Sequence, residues 1–275
     1  MVWELDWRIK LLIGTAIVGA ALYGVRPPSR RPVQFALALF GLEVGTLVAV
    51  RGVVVAQEDF WWQFAVAYAL VLVPGVFVAV ILSRLRSWQA AGFNGPRRWR
   101  SPHVAALLAL TLLLPLLGLS GSGLHRTTTI LLALQIAFLA LGVFMEEAIY
   151  RGLILQVLLP FGPLRACIGS AALFGLSHLD NLFLPGREIA VFYQVFEAFL
   201  VGILFGAARL RMNAIWPVMA VHAAYDFVLV LAYGHAVPVV PSRAGFIIAT
   251  IANLVLAAAG LFLIRKRRTL DVAVS

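Results

Sequence analysis

The chain has 275 residues, of which 62% are hydrophobic and 12% charged, with a mean hydropathy of +0.97. Soluble domains are typically about 25% charged and 45–50% apolar, so this composition excludes a soluble globular protein and implies an integral membrane protein. The net charge of +10 does not argue for nucleic acid, because the basic residues crowd the loops between apolar runs, as the positive-inside rule predicts, and no loop is long enough to form a basic soluble domain.

Apolar runs of about 20 residues predict transmembrane helices. They fall near 8–25, 33–55, 61–83, 103–120, 128–160, 163–182, 189–208, 213–232 and 244–264. The opening residues MVWELDW are acidic rather than basic, so the first run reads as a retained span, or as a helix lying in the interface, and not as a signal peptide. The run 128–160 has 33 residues, about 50 Å as one straight helix against a hydrocarbon core of ~30 Å. It is expected to tilt, or to break near Gly152 with the part leading to Pro160 at the interface. The stretch 83–103 reads as an inner loop with an interfacial turn, and the tail after Arg268 as short and disordered. The fold class is therefore all-α, a polytopic transmembrane bundle of about 8–9 spans. With the basic tail RKRR (265–268) inside, nine spans put 15 of the 22 basic residues on the inner side, 6 outside, and Arg151 within the membrane. That split favours an outside N-terminus and a cytoplasmic C-terminus. Cys167, the single cysteine, reads as a small buried side chain.

Three polar motifs interrupt these apolar runs. The first is Glu146-Glu147-x-x-x-Arg151, in FMEEAIYRG. A charged residue at the centre of a span costs roughly 2.5–3.5 kcal/mol on insertion scales. Glu147 and Arg151 are spaced to pair along one helix face, which leaves Glu146 pointing about 100° away. The second is Phe174-x-x-x-His178, in LFGLSHL, and the third is His222-x-x-x-Asp226, in VHAAYDF. In the third, imidazole and carboxylate share a helix face. Intramembrane ionisable groups nearly always face the bundle interior, so the economical packing gathers all three segments around one polar cavity. Such a set suits hydrolysis of a peptide bond by an activated water. A carboxylate acts as general base, a histidine helps hold the water, and a second histidine with a polar partner donates to the developing oxyanion.

The ordered pattern EExxxR, FxxxH, HxxxN/D resembles the CPBP family, also called Abi or CAAX-protease-like membrane proteins. The stretches YRGLILQVLLPFGPLRACIGSAALFGLSHL and FLVGILFGAARLRMNAIWPVMAVHAAYD are similar to the family's spacing of glycines, prolines and the Trp-Pro pair. The resemblance covers about residues 138–228. It implies a glutamate-dependent intramembrane protease, with Glu146 as general base, His178 as its partner on the water, and His222 and Asp226 at the oxyanion. Glu147 and Arg151 support the site in this reading. The CAAX endopeptidase type carries Asn where this chain has Asp226. Asn donates to an oxyanion whereas an ionised Asp repels it, so Asp226 is alternatively protonated or orients His222. The resemblance divides the chain into N-terminal transmembrane helices (1–125), a CPBP/CAAX-protease-like catalytic core (126–235), and a C-terminal transmembrane helix with a basic tail (236–275).

No cofactor is implied. Zinc held by Glu146, His178 and His222 is the alternative, although the HExxH signature is absent. Ser177 lacks the glycine context of a nucleophile elbow. The partners expected are a membrane-anchored protein or peptide substrate and the lipid bilayer, in a prokaryotic cell membrane. A non-catalytic scaffold or immunity protein and a proton-coupled transporter are the competing readings; the inverted halves a transporter would carry are not evident. Glu43 and Glu197 are further carboxylates in apolar runs that belong to no motif. Tyr150 and Tyr225 adjoin motif residues as possible donors, and Phe174 is expected to pack.

Overall fold

The computed structural model describes residues 5–24, 30–55, 60–95, 102–125, 128–183, 188–233 and 242–272. They form helices and turns with no strand among them. Of the basic residues used for orientation, Arg26, Arg97, Arg98, Arg100, Arg126 and Arg187 lie outside these ranges.

The chain opens with α1 (Trp7–Gly24), α2 (Pro32–Val55) and α3 (Phe60–Arg84), followed by two short helices, α4 (Pro102–Leu110) and α5 (Leu113–Ser122). Next comes α6 (Thr129–Glu147), started by Thr128, whose hydroxyl accepts the Leu131 N–H. Five segments are long and apolar enough to cross a membrane by length and composition: Pro32–Val50, Thr129–Phe161, Glu188–Met212, Trp216–Tyr233 and Arg243–Arg265. Several other expected spans fall on shorter helices. The run 103–120 is divided between α4 and α5, and the run 163–182 becomes a 15-residue helix, α8 (Pro163–Ser177), continued by a 3-10 segment at His178–Phe183.

The long run after Thr129 does not break at Gly152. It stays helical to Phe161 and changes its winding instead. Ala148–Ile154 form a π-helical segment, then come α7 (Leu155–Leu158) and a 3-10 turn at Leu159–Phe161. All seven residues of the π segment are buried. Its wider turn frees backbone groups that need partners, and the Ser170 hydroxyl on α8 donates to the Tyr150 carbonyl at 2.6 Å. Gly162, at φ +94°, turns the chain into α8. Pro163 follows at the first helical position, where its missing N–H costs nothing.

Helix α8 packs along α9 (Glu188–Met212) within the main apolar core, which also takes in residues of α2, α3 and the π segment. Gly202 and Gly206 stand one turn apart on α9, the small-xxx-small pattern that lets membrane helices approach closely. A Cβ on Gly202 would lie 3.1 Å from the Ala171 Cβ, and one on Gly206 would lie 2.8 Å from the Cys167 Sγ. Cys167 is buried as expected, with its thiol 3.3 Å from the Ile203 carbonyl. The last two helices are α10 (Trp216–Tyr233) and α11 (Arg243–Val272). Helix α11 therefore continues beyond Arg268, where a disordered tail was expected, because its apolar ladder is long enough to carry the basic end in helical form.

The stretch after α3 is more than a loop. Ala91 is fully buried, and the Gly92 carbonyl accepts the Ile215 N–H at 2.9 Å. Arg209, nearly buried, donates to the Ala90 carbonyl. These contacts fix the start of α10. On α8, a Cβ at Gly175 would stand 2.7 Å from the Val195 carbonyl oxygen, a backbone atom that cannot move aside alone. Gly175→Ala is expected to destabilise the protein by about 1–3 kcal/mol, read as a lowered thermal unfolding midpoint in detergent.

Candidate active site

Glu147 is the best-connected side chain of the site. Its Oε1 accepts from Arg151 Nη1 at 2.9 Å, so the pair expected from the i,i+4 spacing is formed, with both side chains at 0% exposure. The same oxygen lies 2.8 Å from His222 Nδ1 on α10. A carboxylate oxygen accepts, so Nδ1 carries the hydrogen and Nε2 is the nitrogen turned to the rest of the site. This contact between α6 and α10 has no signal in the spacing of either motif.

His222 Nε2 stands 3.7 Å from Glu146 Oε2 and 3.7 Å from Asp226 Oδ2. Both distances exceed a direct hydrogen bond and leave the two carboxylates flanking one nitrogen. Glu146 is 26% exposed and Asp226 23%, whereas Glu147 is closed off entirely. The adjacent glutamates thus divide as their helical phase requires: one is locked in the core, and the other is open.

His178 ends α8, and its Nδ1 lies 2.9 Å from the Phe174 carbonyl. A carbonyl only accepts, so Nδ1 is the protonated nitrogen and Nε2 is left unengaged by the backbone. The Ser177 hydroxyl donates to the same carbonyl at 2.7 Å, which occupies that hydroxyl in capping the helix end. Among the described residues no hydrogen bond joins Glu146 to His178. The two histidines are related instead through Phe174. Its ring is edge-on to His178 at 4.9 Å and to His222 at 5.9 Å between centroids, and the Arg151 guanidinium lies 3.8 Å from the ring centre. Phe174 packs, as expected, and it also spaces both imidazoles and holds the arginine through a cation–π contact. A cavity of about 470 Å³ opens beside these groups, with His178, His222, Asp226, Glu197 and Tyr225 among the residues that line it.

A further carboxylate supports the site from the N-terminal part. Glu43 on α2 is nearly buried and accepts a hydrogen bond from the Tyr150 hydroxyl of the π segment. The sequence offered one hint, a glutamate in an apolar run. Its partner lies 107 positions away, so no local pattern could name it. Residues from outside 126–235 also reach the cavity, including Leu114 of α5 and Ile248 of α11.

For the zinc alternative, no three His, Cys, Asp or Glu groups among the described residues stand together in a metal-holding arrangement.

With this geometry in place, the comparisons with known proteins bear on its class. Residues 127–228 match the family model described as type II CAAX prenyl endopeptidase Rce1-like, in agreement with the CPBP/CAAX-protease-like resemblance of the sequence. The matched stretch contains Glu146, Glu147, Arg151, His178, His222 and Asp226. No curated protein and no solved structure matches the chain significantly. The match and the five apolar helices support a multi-pass membrane protein.

Among the described residues Arg151 and His222 are the groups paired with the closed-off Glu147, so removal of the arginine strands a buried charge. Arg151→Met is expected to cost about 3–5 kcal/mol of stability, with Arg151→Lys intermediate. Thermal unfolding of the purified variants in detergent measures both.

Proposed function

We propose that this protein is an intramembrane endopeptidase that hydrolyses a peptide bond of a membrane-associated protein or peptide with a water activated by Glu146. The observation that carries this reading is the pair of histidines, His178 and His222, at the wall of one cavity, with a partly open carboxylate, Glu146, 3.7 Å from His222 Nε2, inside a segment that matches an endopeptidase family. The 126–235 stretch acts as the catalytic core, with α2 and α11 completing it.

In the proposed reaction, Glu146 removes a proton from water while His178, fixed at Nδ1 by the helix end, helps hold that water through Nε2. The hydroxide adds to the scissile carbonyl, and the oxyanion that forms accepts a hydrogen bond from His222 when Nε2 carries a proton. Glu147 acts on the other side of the ring. By accepting the Nδ1 hydrogen it fixes the orientation of the imidazole and favours the form that donates from Nε2. Collapse of the tetrahedral intermediate sends the proton held by Glu146 to the leaving amine.

Asp226 is assigned to His222 rather than to the oxyanion. An ionised carboxylate repels an oxyanion, and Asp226 Oδ2 is already 3.7 Å from Nε2. No metal enters this scheme. The substrate is a membrane-anchored chain, since the cavity lies among apolar helices. The arginine distribution along the sequence supports a cytoplasmic C-terminus, and the membrane of this reading is a prokaryotic cell membrane.

Glu146→Gln keeps the shape and removes the base. Membrane peptides from cells expressing it, compared with wild type at equal expression, are expected to lack a set of cleaved termini, with cleavage reduced at least ~100-fold. Excess EDTA is expected to leave the wild-type rate unchanged. Identical termini in both strains would contradict proteolysis and favour a scaffold, and loss of activity restored by zinc would contradict the metal-free scheme.

A further inference from the structure

The cavity carries a second carboxylate that no motif claims. Glu197 of α9 lines it together with Tyr193, Gln194 and Asp226. The Tyr193 hydroxyl donates to Glu197 Oε1 at 2.5 Å, and Asn253 Nδ2 of α11, itself 2% exposed, donates to the same oxygen at 2.8 Å. Two donors on one oxygen fix the plane of the carboxyl group and leave Oε2 without a hydrogen bond among the described residues. Oε2 is not fully enclosed within the α9–α11 contact.

The surroundings say what such an oxygen would meet. Among the described residues that line the cavity there is no lysine or arginine; its carboxylates are Glu197 and Asp226 and its histidines His178 and His222. Arg151, the nearest fixed cation of the active site, is bound to Glu147 and lies on Phe174. Most of the remaining wall is aliphatic, including Leu117, Val201, Leu229 and Ile248. Tyr193 also borders a mostly apolar groove of about 570 Å³ formed with Phe192, Phe196, Phe246 and Ile247, with Arg243 as its one charged wall residue among those described. An aliphatic stem ending in a cation fits this combination, because the stem is buried against apolar side chains while the charge reaches a pre-oriented acceptor.

We propose that Glu197 determines substrate specificity by taking the ammonium or guanidinium group of a lysine or arginine side chain in the bound segment. The selection of substrates for cleavage rests on the endopeptidase reading above; the binding preference does not. A basic residue is costly within a bilayer, so a site that pairs it would distinguish such a segment from the abundant purely apolar ones.

The test uses the full chain carrying Glu146→Gln, reconstituted in nanodiscs so that binding is read without turnover. The probes are fluorescent Leu/Ala membrane peptides, identical except for one Lys, norleucine or Glu, with that residue placed in turn at each central position. At one or more positions the Lys peptide is expected to bind about tenfold more tightly than the norleucine peptide. Adding Glu197→Gln, which retains an acceptor for Tyr193 and Asn253, should abolish the preference without shifting the unfolding midpoint. Adding Glu197→Lys should turn the preference to the Glu peptide. Equal binding of Lys and norleucine peptides at every position would overturn the proposal, as would a preference that survives Glu197→Gln. Since cleavage is not measured, a failed proteolysis experiment leaves this result standing, and a failed preference leaves proteolysis standing.

Discussion

The arrangement depends on one buried oxygen. Glu147 Oε1 accepts from Arg151 on its own helix and from His222 on α10, and the carboxylate has no access to solvent. Placing an ion pair in a low-dielectric interior is expensive, and replacing such a pair by apolar side chains is often neutral or stabilising. What an apolar replacement could not do is select one face and one protonated nitrogen of His222. The charge on Glu147 holds the ring with Nδ1 inward, and Nε2 is thereby directed toward Glu146 and Asp226. The stabilising pair and the candidate catalytic group are thus parts of the same hydrogen-bonded chain.

Several packing devices serve that chain. Phe174 separates the two histidines and lies beneath the Arg151 guanidinium. Its position follows from the close approach of α8 to α9, which Gly175, Gly202 and Gly206 permit. The π segment begins one residue after Glu147, a location where such widened turns frequently mark functional sites. Glu43 and Ser170 hold the segment through Tyr150, one by its hydroxyl and the other by its backbone carbonyl. The N-terminal helices, for which the sequence suggested no role beyond spanning, therefore contribute a polar contact to the support of the site.

Local features were legible in the sequence because helical phase is a property of spacing. The Glu147–Arg151 pair, the opposite facing of Glu146, and the shared face of His222 and Asp226 all follow from intervals of one and four. Contacts between helices were not legible. Whether His222 meets Glu147 or Glu146 depends on how far α10 is rotated, and that is set by packing at distant positions such as Gly92 and Ile215. The winding change at Ala148–Ile154 also escaped, since its residues are ordinary helix formers apart from Gly152. The same glycine suggested a break, but the buried surroundings of the segment keep every turn hydrogen-bonded.

The central claim is that Glu146 activates water and does not attack the peptide bond itself. A single turnover in heavy-oxygen water tests it directly, using a membrane peptide that the protein cleaves and mass spectrometry of both product and protein. The account predicts one heavy oxygen in the new product carboxylate and none in the protein fragment containing Glu146. Heavy oxygen in the Glu146 side chain after that turnover would reveal a covalent acyl intermediate and contradict the account.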